Sequence, residues 1–568
     1  MSFVKENSKS VWVIVAWSLI LTMLMGLVTI QISNAYFDNY SYFFDPVYYS
    51  YQNAHLYVRL ADEGRLSLAV QEWLGNGRHP LRTVPLILFA PRWLANQMGH
   101  MATALPMLAI FLFLFGWTVY QRTRYIPYAL ACMALFCAIP GMFSPTKGLS
   151  AYWLDLPASF LVGAATLCLL NSSGARDLRW LAGFALLASL AALSRYVAAM
   201  YAFVICGPVL AYYLLRRWQQ EGHLLRAVLL PLGVIGIVIS IVAGYFLSMH
   251  FQSNVGFYST FGYALGHGLL RAAYSVIRSM GSFMSIPGGI VLGALGLIQL
   301  ALFWRDITRD WENFVIGIWF ASAIFLFQVL VLRVDGASHT ILYAVPLIFL
   351  AIVSPIPLGK DSPNYRRLTR LSSVFIVVAV LLGGGATLRN FQLAMQPSPE
   401  IQGRKALDMA LAEVLSTESR ENGPLVWNAY FDEYAWIPTM EAFYRFGEFP
   451  LPAGQDYFFT VHETTWKGDY PGLTPDEVSK LVYENTNQWV EIAVVFDDPT
   501  AADTRFNNDY SRTVARYMAQ VMRSDTQWER LFVVESSRYG RLAGYRNLTA
   551  RHNGIYERKL QGQGPVQP

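Results

Sequence analysis

Residues 11–30 carry no charged side chain, and Lys5 and Lys9 precede them. A helix of that length is about 30 Å long, which matches the hydrocarbon core of a bilayer and exceeds the apolar region of an ordinary signal peptide. "SNA" at Ser33–Ala35 is like a cleavage site, but the run reads better as a retained anchor. Comparable runs recur at about 102–120, 125–143, 154–171, 180–194, 197–215, 227–249, 286–304, 313–332, 340–357 and 372–389. With 54% apolar and 14% charged residues in 568, the chain has too little charge for a soluble protein of its size. The expected fold class is therefore a polytopic α-helical membrane protein of about 11 transmembrane helices. The formal net charge of +5 speaks of loop orientation more than of partners, and no nucleic-acid partner is expected. Cys132, Cys137, Cys168 and Cys206 all fall in apolar runs, so neither a disulfide framework nor a CxxC metal pair is implied.

Basic residues alternate between connections. Lys5 and Lys9 are followed by Arg122 and Arg124, Arg176 and Arg179, Arg216, Arg217 and Arg226, Arg305 and Arg309, then Lys360, Arg366, Arg367 and Arg370. The positive-inside bias makes these loops cytoplasmic and the N-terminus cytoplasmic. An odd number of spans then sends the tail outside, in an inner (cytoplasmic) membrane with a periplasmic C-terminal region. Around "AALSRYVAAMY" the apolar stretch is too long for one span and must fold back near Ser194 and Arg195. Two domains follow: a membrane domain over 1–390, with a long first outer loop at 33–101 and another at 250–285, and a C-terminal soluble α/β domain over 391–568. In the tail "RKALDMALAEVL", "TPDEVSKLVYE" and "YSRTVARYMAQVM" read as helices, and "PLVWNAY", "WVEIAVVF" and "WERLFVVE" as strands.

Two acids stand where outer helices begin. Asp45 precedes Pro46 in the aromatic stretch "FFDPVYYSYQNAHLY", and Asp155 lies two residues before Pro157 in "LDLPASFLVG". Each pattern suits a helix N-cap. Two such acids on one membrane face also suit a polar cavity, because ionisable groups at membrane level are costly. Arg78, His79 and Arg82 gather in "GRHPLRTVPLILFAP", before a segment too short to span; such a grouping fits a phosphate.

The order of these motifs resembles that of the GT-C superfamily of membrane glycosyltransferases: an Asp after the first span, a Tyr-rich helix, "HPL…P" before the second span, "LDLP" opening a later one, and "SHTILYAVPLIFLAI" near the end. The branch it resembles holds protein O-mannosyltransferases, aminoarabinose transferases and rhizobial lipopolysaccharide sugar transferases. Pro46 stands where many members carry Glu, and His339 or Thr340 where many carry Arg. The resemblance implies inverting transfer of one sugar from a polyprenyl-phosphate carrier to a lipid, glycan or protein acceptor at the periplasmic face. It implies Asp45 as the base for the acceptor hydroxyl. Asp155 would either orient the acceptor or share a divalent cation, Mg or Mn, with Asp45. Arg78, His79, Arg195, Arg271, Arg278 and Arg333 are expected around the donor phosphate, with Tyr49 and His339 also against substrate. The rival readings are a transporter or flippase for a polyprenyl-linked glycan, and an assembly protein acting through its tail. No internally repeated halves favour the transporter.

Overall fold

The structure, a computed structural model, describes residues 2–39, 66–67, 80–90, 97–145, 148–149, 151, 154–248, 268–309, 311–332, 342–346, 348–349, 365–396, single residues between 399 and 417, 427–431, 472–505, 509–536 and 539–549. The chain forms two compact units. One holds Met1–Asn34 and Ser67–Gln392, the other Ala35–Leu66 and Leu393–Pro568.

The first unit is a bundle of apolar helices: α1 (Ser2–Asn39), α2 (Pro80–Phe89), α3 (Gln97–Thr123), α4 (Ile126–Cys137), α5 (Asp155–Asn171), α6 (Leu178–Ser194), α7 (Val197–Glu221), α8 (Leu230–Val242), α9 (Leu269–Met284), α10 (Ile286–Arg309), α11 (Trp311–Leu326) and α12 (Tyr365–Met395). Among the described residues, six helices are long and apolar enough to cross a membrane: Lys9–Tyr36, Gly99–Thr123, Val197–Glu221, Leu225–Val242, Ile286–Trp304 and Arg366–Met395. Shorter apolar helices pack among them, and the protein is a multi-pass membrane protein. Helices cover every expected run except 340–357, of which only 342–346 and 348–349, both helical, are described. The long apolar stretch does break where its length requires: α6 ends at Ser194 and α7 starts at Val197.

α5 is the axis of the bundle. It is apolar on every side, as suits a helix kept from water throughout, and every residue from Asp155 to Leu170 is buried. Phe160 on α5 joins Phe111, Phe115, Phe136 and Phe349 in an aromatic cluster, with Phe111 and Phe136 centroids 4.7 Å apart and Phe136 meeting Phe349 edge-on at 5.3 Å. Gly163 lets neighbouring chain come close, since a Cβ there would stand 2.8 Å from both Phe111 Cε2 and Pro346 Cβ. The missing side chain thus seats the 342–346 segment directly on α5.

The expected outer loop at 250–285 contains α9, an unanticipated helix. It is strongly two-faced: Ala272, Ser275, Val276 and Phe283 are buried, while Arg271, Tyr274, Ile277 and Arg278 are exposed. Too short and too charged to register as an apolar run, such a helix suits a membrane interface. Ser285, at φ 59°, turns the chain from α9 into α10.

The second unit holds a four-stranded sheet, β1 (Trp427–Ala429), β2 (Ile492–Phe496), β3 (Trp528–Ser536) and β4 (Gly540–Asn547), in the order β1-β2-β4-β3. β1 runs parallel to β2, and β4 lies antiparallel to both β2 and β3. The helices α13 (Pro475–Trp489), α14 (Ala501–Arg505) and α15 (Asp509–Ser524) accompany the sheet, and the residues described between 399 and 417 are helical as well. Val494 and Val495 of β2 pack in one core with Val514 and Met518 of α15 and Val478 of α13. Thr474 caps α13 through a reciprocal box with Glu477, which satisfies two backbone N–H groups at once.

Candidate active site

Asp155 occupies the first turn of α5 and is 2% exposed. Leu154, not Asp155, holds the cap position, and no side chain caps this helix. The carboxylate faces inward instead. Its Oδ1 accepts a hydrogen bond from the Tyr343 hydroxyl at 3.1 Å and pairs with Arg195 Nε at 3.4 Å. Arg195 directly follows the last residue of α6, so folding the hairpin is what delivers the guanidinium to the acid. A buried carboxylate is retained as an ion only when it is paired and hydrogen-bonded, and this arrangement supplies both.

Aromatic rings extend the cluster sideways. The Tyr343 ring lies 4.4 Å from that of Tyr201 on α7, and Tyr201 meets Phe327 edge-on at 6.3 Å. Phe327 begins a π-helical turn, Phe327–Leu332, that continues α11. Val329 of that turn packs with Val276 of α9. The N-termini of α5 and α7, the middle of α9 and the far end of α11 are therefore joined by side-chain contacts.

A second buried cation stands on α2. Arg82, 3% exposed, donates through Nε to Thr103 Oγ1 at 3.1 Å and through a terminal nitrogen to the His100 carbonyl at 2.7 Å and His100 Nδ1 at 2.5 Å. A guanidinium only donates, so Nδ1 must accept, and the ring proton of a neutral His100 lies on Nε2. α2 packs against both α3 and α6.

The structure thus brings two of the sequence-derived candidates, Asp155 and Arg195, into contact. Arg271 and Arg278 sit on the exposed side of α9. Asp45, Tyr49, Arg78, His79, Arg333 and His339 lie outside the described residues. Tyr343, Tyr201 and His100 were not anticipated. His100, just ahead of the run at 102–120, had a usable signal in its position; Tyr343 had none locally, because its partner is 188 residues away.

The described part of the cluster does not by itself fit a divalent cation. It offers one carboxylate, whose charge Arg195 already balances, and no group of three potential ligands occurs among the described residues. Asp45, the expected second ligand, is not described.

No family model matches this sequence, and no curated protein matches it. Among solved structures, the crystal structure of ArnT from Cupriavidus metallidurans bound to undecaprenyl phosphate is similar over 95% of this chain and 98% of that chain, with a TM-score of 0.52 and 12% sequence identity. At that identity the likeness is one of fold alone.

Proposed function

We propose that the protein is an inverting glycosyltransferase that moves one sugar from a polyprenyl-phosphate carrier to an acceptor at the extracytoplasmic face of the membrane. The observation that carries this reading is the buried ion pair of Asp155 and Arg195 with the Tyr343 hydroxyl bonded to it, at one end of a largely apolar bundle. Such charges are expensive in a membrane and mark the place where a polar headgroup is handled. The ArnT structure, with undecaprenyl phosphate bound, supports a carrier of that class by analogy of fold.

In this reading the acceptor oxygen attacks the anomeric carbon from the side opposite the phosphate, giving inversion. The C–O bond to phosphate breaks, its electron pair stays on the carrier phosphate, and the acceptor proton passes to Asp45. Arg78, His79, Arg271, Arg278 and Arg333 surround the departing phosphate, with Tyr49 and His339 against substrate. Their bonds strengthen as charge builds on the leaving oxygen, so they lower the barrier rather than merely hold the donor. Arg82 joins that set as a further buried cation. Asp155 is assigned an organising role: with Oδ1 already shared by a hydroxyl and a guanidinium, it fixes Arg195 and Tyr343 and leaves proton removal to Asp45. Were a divalent cation bound, Asp45 and Asp155 would be the carboxylates to hold it, and it would supply Lewis-acid stabilisation of the leaving phosphate.

The test is transfer from undecaprenyl phosphate bearing a radiolabelled sugar, using full-length protein in nanodiscs with membrane extract as acceptor source. Wild type should release free undecaprenyl phosphate and label an acceptor, and Asp45→Asn should stop both while remaining folded. Full activity in Asp45→Asn would refute the base assignment. Movement of intact carrier across vesicles without headgroup change would replace the whole reading with transport.

A further inference from the structure

Gln328 is the one residue of the π-helical turn that contradicts its surroundings. It is 1% exposed, and among the described residues neither its side-chain oxygen nor its nitrogen has a hydrogen-bond partner. Buried amides are nearly always satisfied, because stripping their water without replacing it is costly, more so among hydrocarbon. The local backbone adds a second irregularity. π-helical turns are rare, and where they interrupt an α-helix they widen it to re-aim a side chain, frequently at a functional site.

The direction of Gln328 follows from its neighbours. Phe327 meets Tyr201 on α7, and Val329 packs against Val276 on α9. Leu330, two residues on, is 55% exposed. Successive residues of such a turn are rotated by about 80–100°, so Gln328 points away from Leu330, into the wedge between α7 and α9. On its α7 side, side-chain contacts run from Phe327 through Tyr201 and Tyr343 to Asp155.

We propose that Gln328 is a substrate-contacting residue, whose amide hydrogen-bonds hydroxyls of the sugar on the lipid-phosphate donor. This rests on the glycosyltransferase reading and extends it by assigning recognition of the sugar, as distinct from the phosphate. The chemistry fits a hydroxyl-bearing ring: an amide presents a donor and an acceptor together, as vicinal hydroxyls do, whereas a phosphate is served by cations.

The experiment uses full-length wild type and Gln328→Leu in nanodiscs. Binding of bare undecaprenyl phosphate is compared with binding of the same carrier bearing glucose, mannose or galactose, and the unfolding temperature of each unliganded protein is recorded. Wild type should bind at least one sugar-bearing carrier more tightly than the bare one. Gln328→Leu should weaken that carrier about three- to ten-fold, the worth of one or two neutral hydrogen bonds. It should leave the bare carrier unchanged and should not lower the unfolding temperature, because it removes an amide that has no partner among the described residues of the unliganded fold. Three results overturn the proposal: wild type preferring no sugar-bearing carrier, unchanged affinities in Gln328→Leu, or equal weakening of bare and sugar-bearing carriers, which marks a structural role. A wild type that binds no carrier at all would fail differently, refuting the glycosyltransferase reading and this inference with it.

Discussion

Removing the positive charge beside Asp155 should be the most damaging single change in the membrane unit. Asp155 is 3% and Arg195 12% exposed at the side chain, with 3.4 Å between their charged atoms. At an effective dielectric constant of about 20, unit charges at that distance attract by about 5 kcal/mol. Most of this offsets the cost of taking the two ions out of water, so the net worth of the pair is far smaller. Arg195→Met loses the attraction and keeps the cost of burying the carboxylate, and should destabilise by about 3–5 kcal/mol. Asp155→Asn should cost less, because Asn still accepts the Tyr343 hydroxyl and the long Arg195 side chain can turn its head outward. The double variant should recover much of the loss, giving a coupling energy of about 2 kcal/mol or more between the sites. Reversible unfolding of full-length protein in mixed micelles would measure all three. Wild-type stability in Arg195→Met, or additive losses in the double variant, would refute the claim that a buried ion pair organises this end of the bundle.

Gly163→Ala places a Cβ 2.8 Å from Phe111 Cε2 and Pro346 Cβ. Overpacking of this kind should cost about 1–3 kcal/mol, and, by pushing 342–346 off α5, it should reduce sugar transfer without touching a reacting group; unaltered stability and transfer would show that the close approach is dispensable. In the second unit, Thr474→Ala removes the cap of α13 and should cost about 1 kcal/mol, read as faster amide exchange confined to that helix in the intact protein. Glu477 is held below the usual carboxylate range, chiefly by the Thr474 backbone N–H and then by its hydroxyl. Its contribution is therefore present above the unfolded-state pKa and lost as pH falls through the lower folded value, so α13 should exchange faster in acid; Glu477→Gln should abolish that dependence, and persistence of it would point to another group.

What the sequence made legible follows from the range of each signal. Apolar runs, the break at Ser194 and the capping box at Thr474 are local patterns, and each has its counterpart in the fold. α9 escaped because its two faces average to no apolar run, and β4 because Gly540, Gly544 and two arginines read as loop. Gly544 is in fact demanded by the sheet, since a Cβ there would meet the Phe532 ring at 2.2 Å. At the candidate site, Asp155 and Arg195 were visible as costly charges, yet their partnership was not. It depends on Tyr343 and on a glycine two turns below Asp155 that seats the segment carrying Tyr343.

Gln328 shows the same division most clearly. Within "FLFQVLVL" it is the single polar residue, and a polar group in a membrane helix is a signal as direct as the charge on Asp155. The sequence alone leaves open whether such an amide pairs with a neighbouring helix, which is the common structural outcome. Only the packing shows that here, among the described residues, it does not: both amide atoms are buried without a partner, while the flanking Phe327 and Val329 reach α7 and α9. A lone polar residue in an apolar run is thus an ambiguous letter until its neighbours are placed. Once they are, the contacts of those neighbours give it a direction, between α7 and α9, on the side of the bundle where Tyr201 and Tyr343 lead to Asp155.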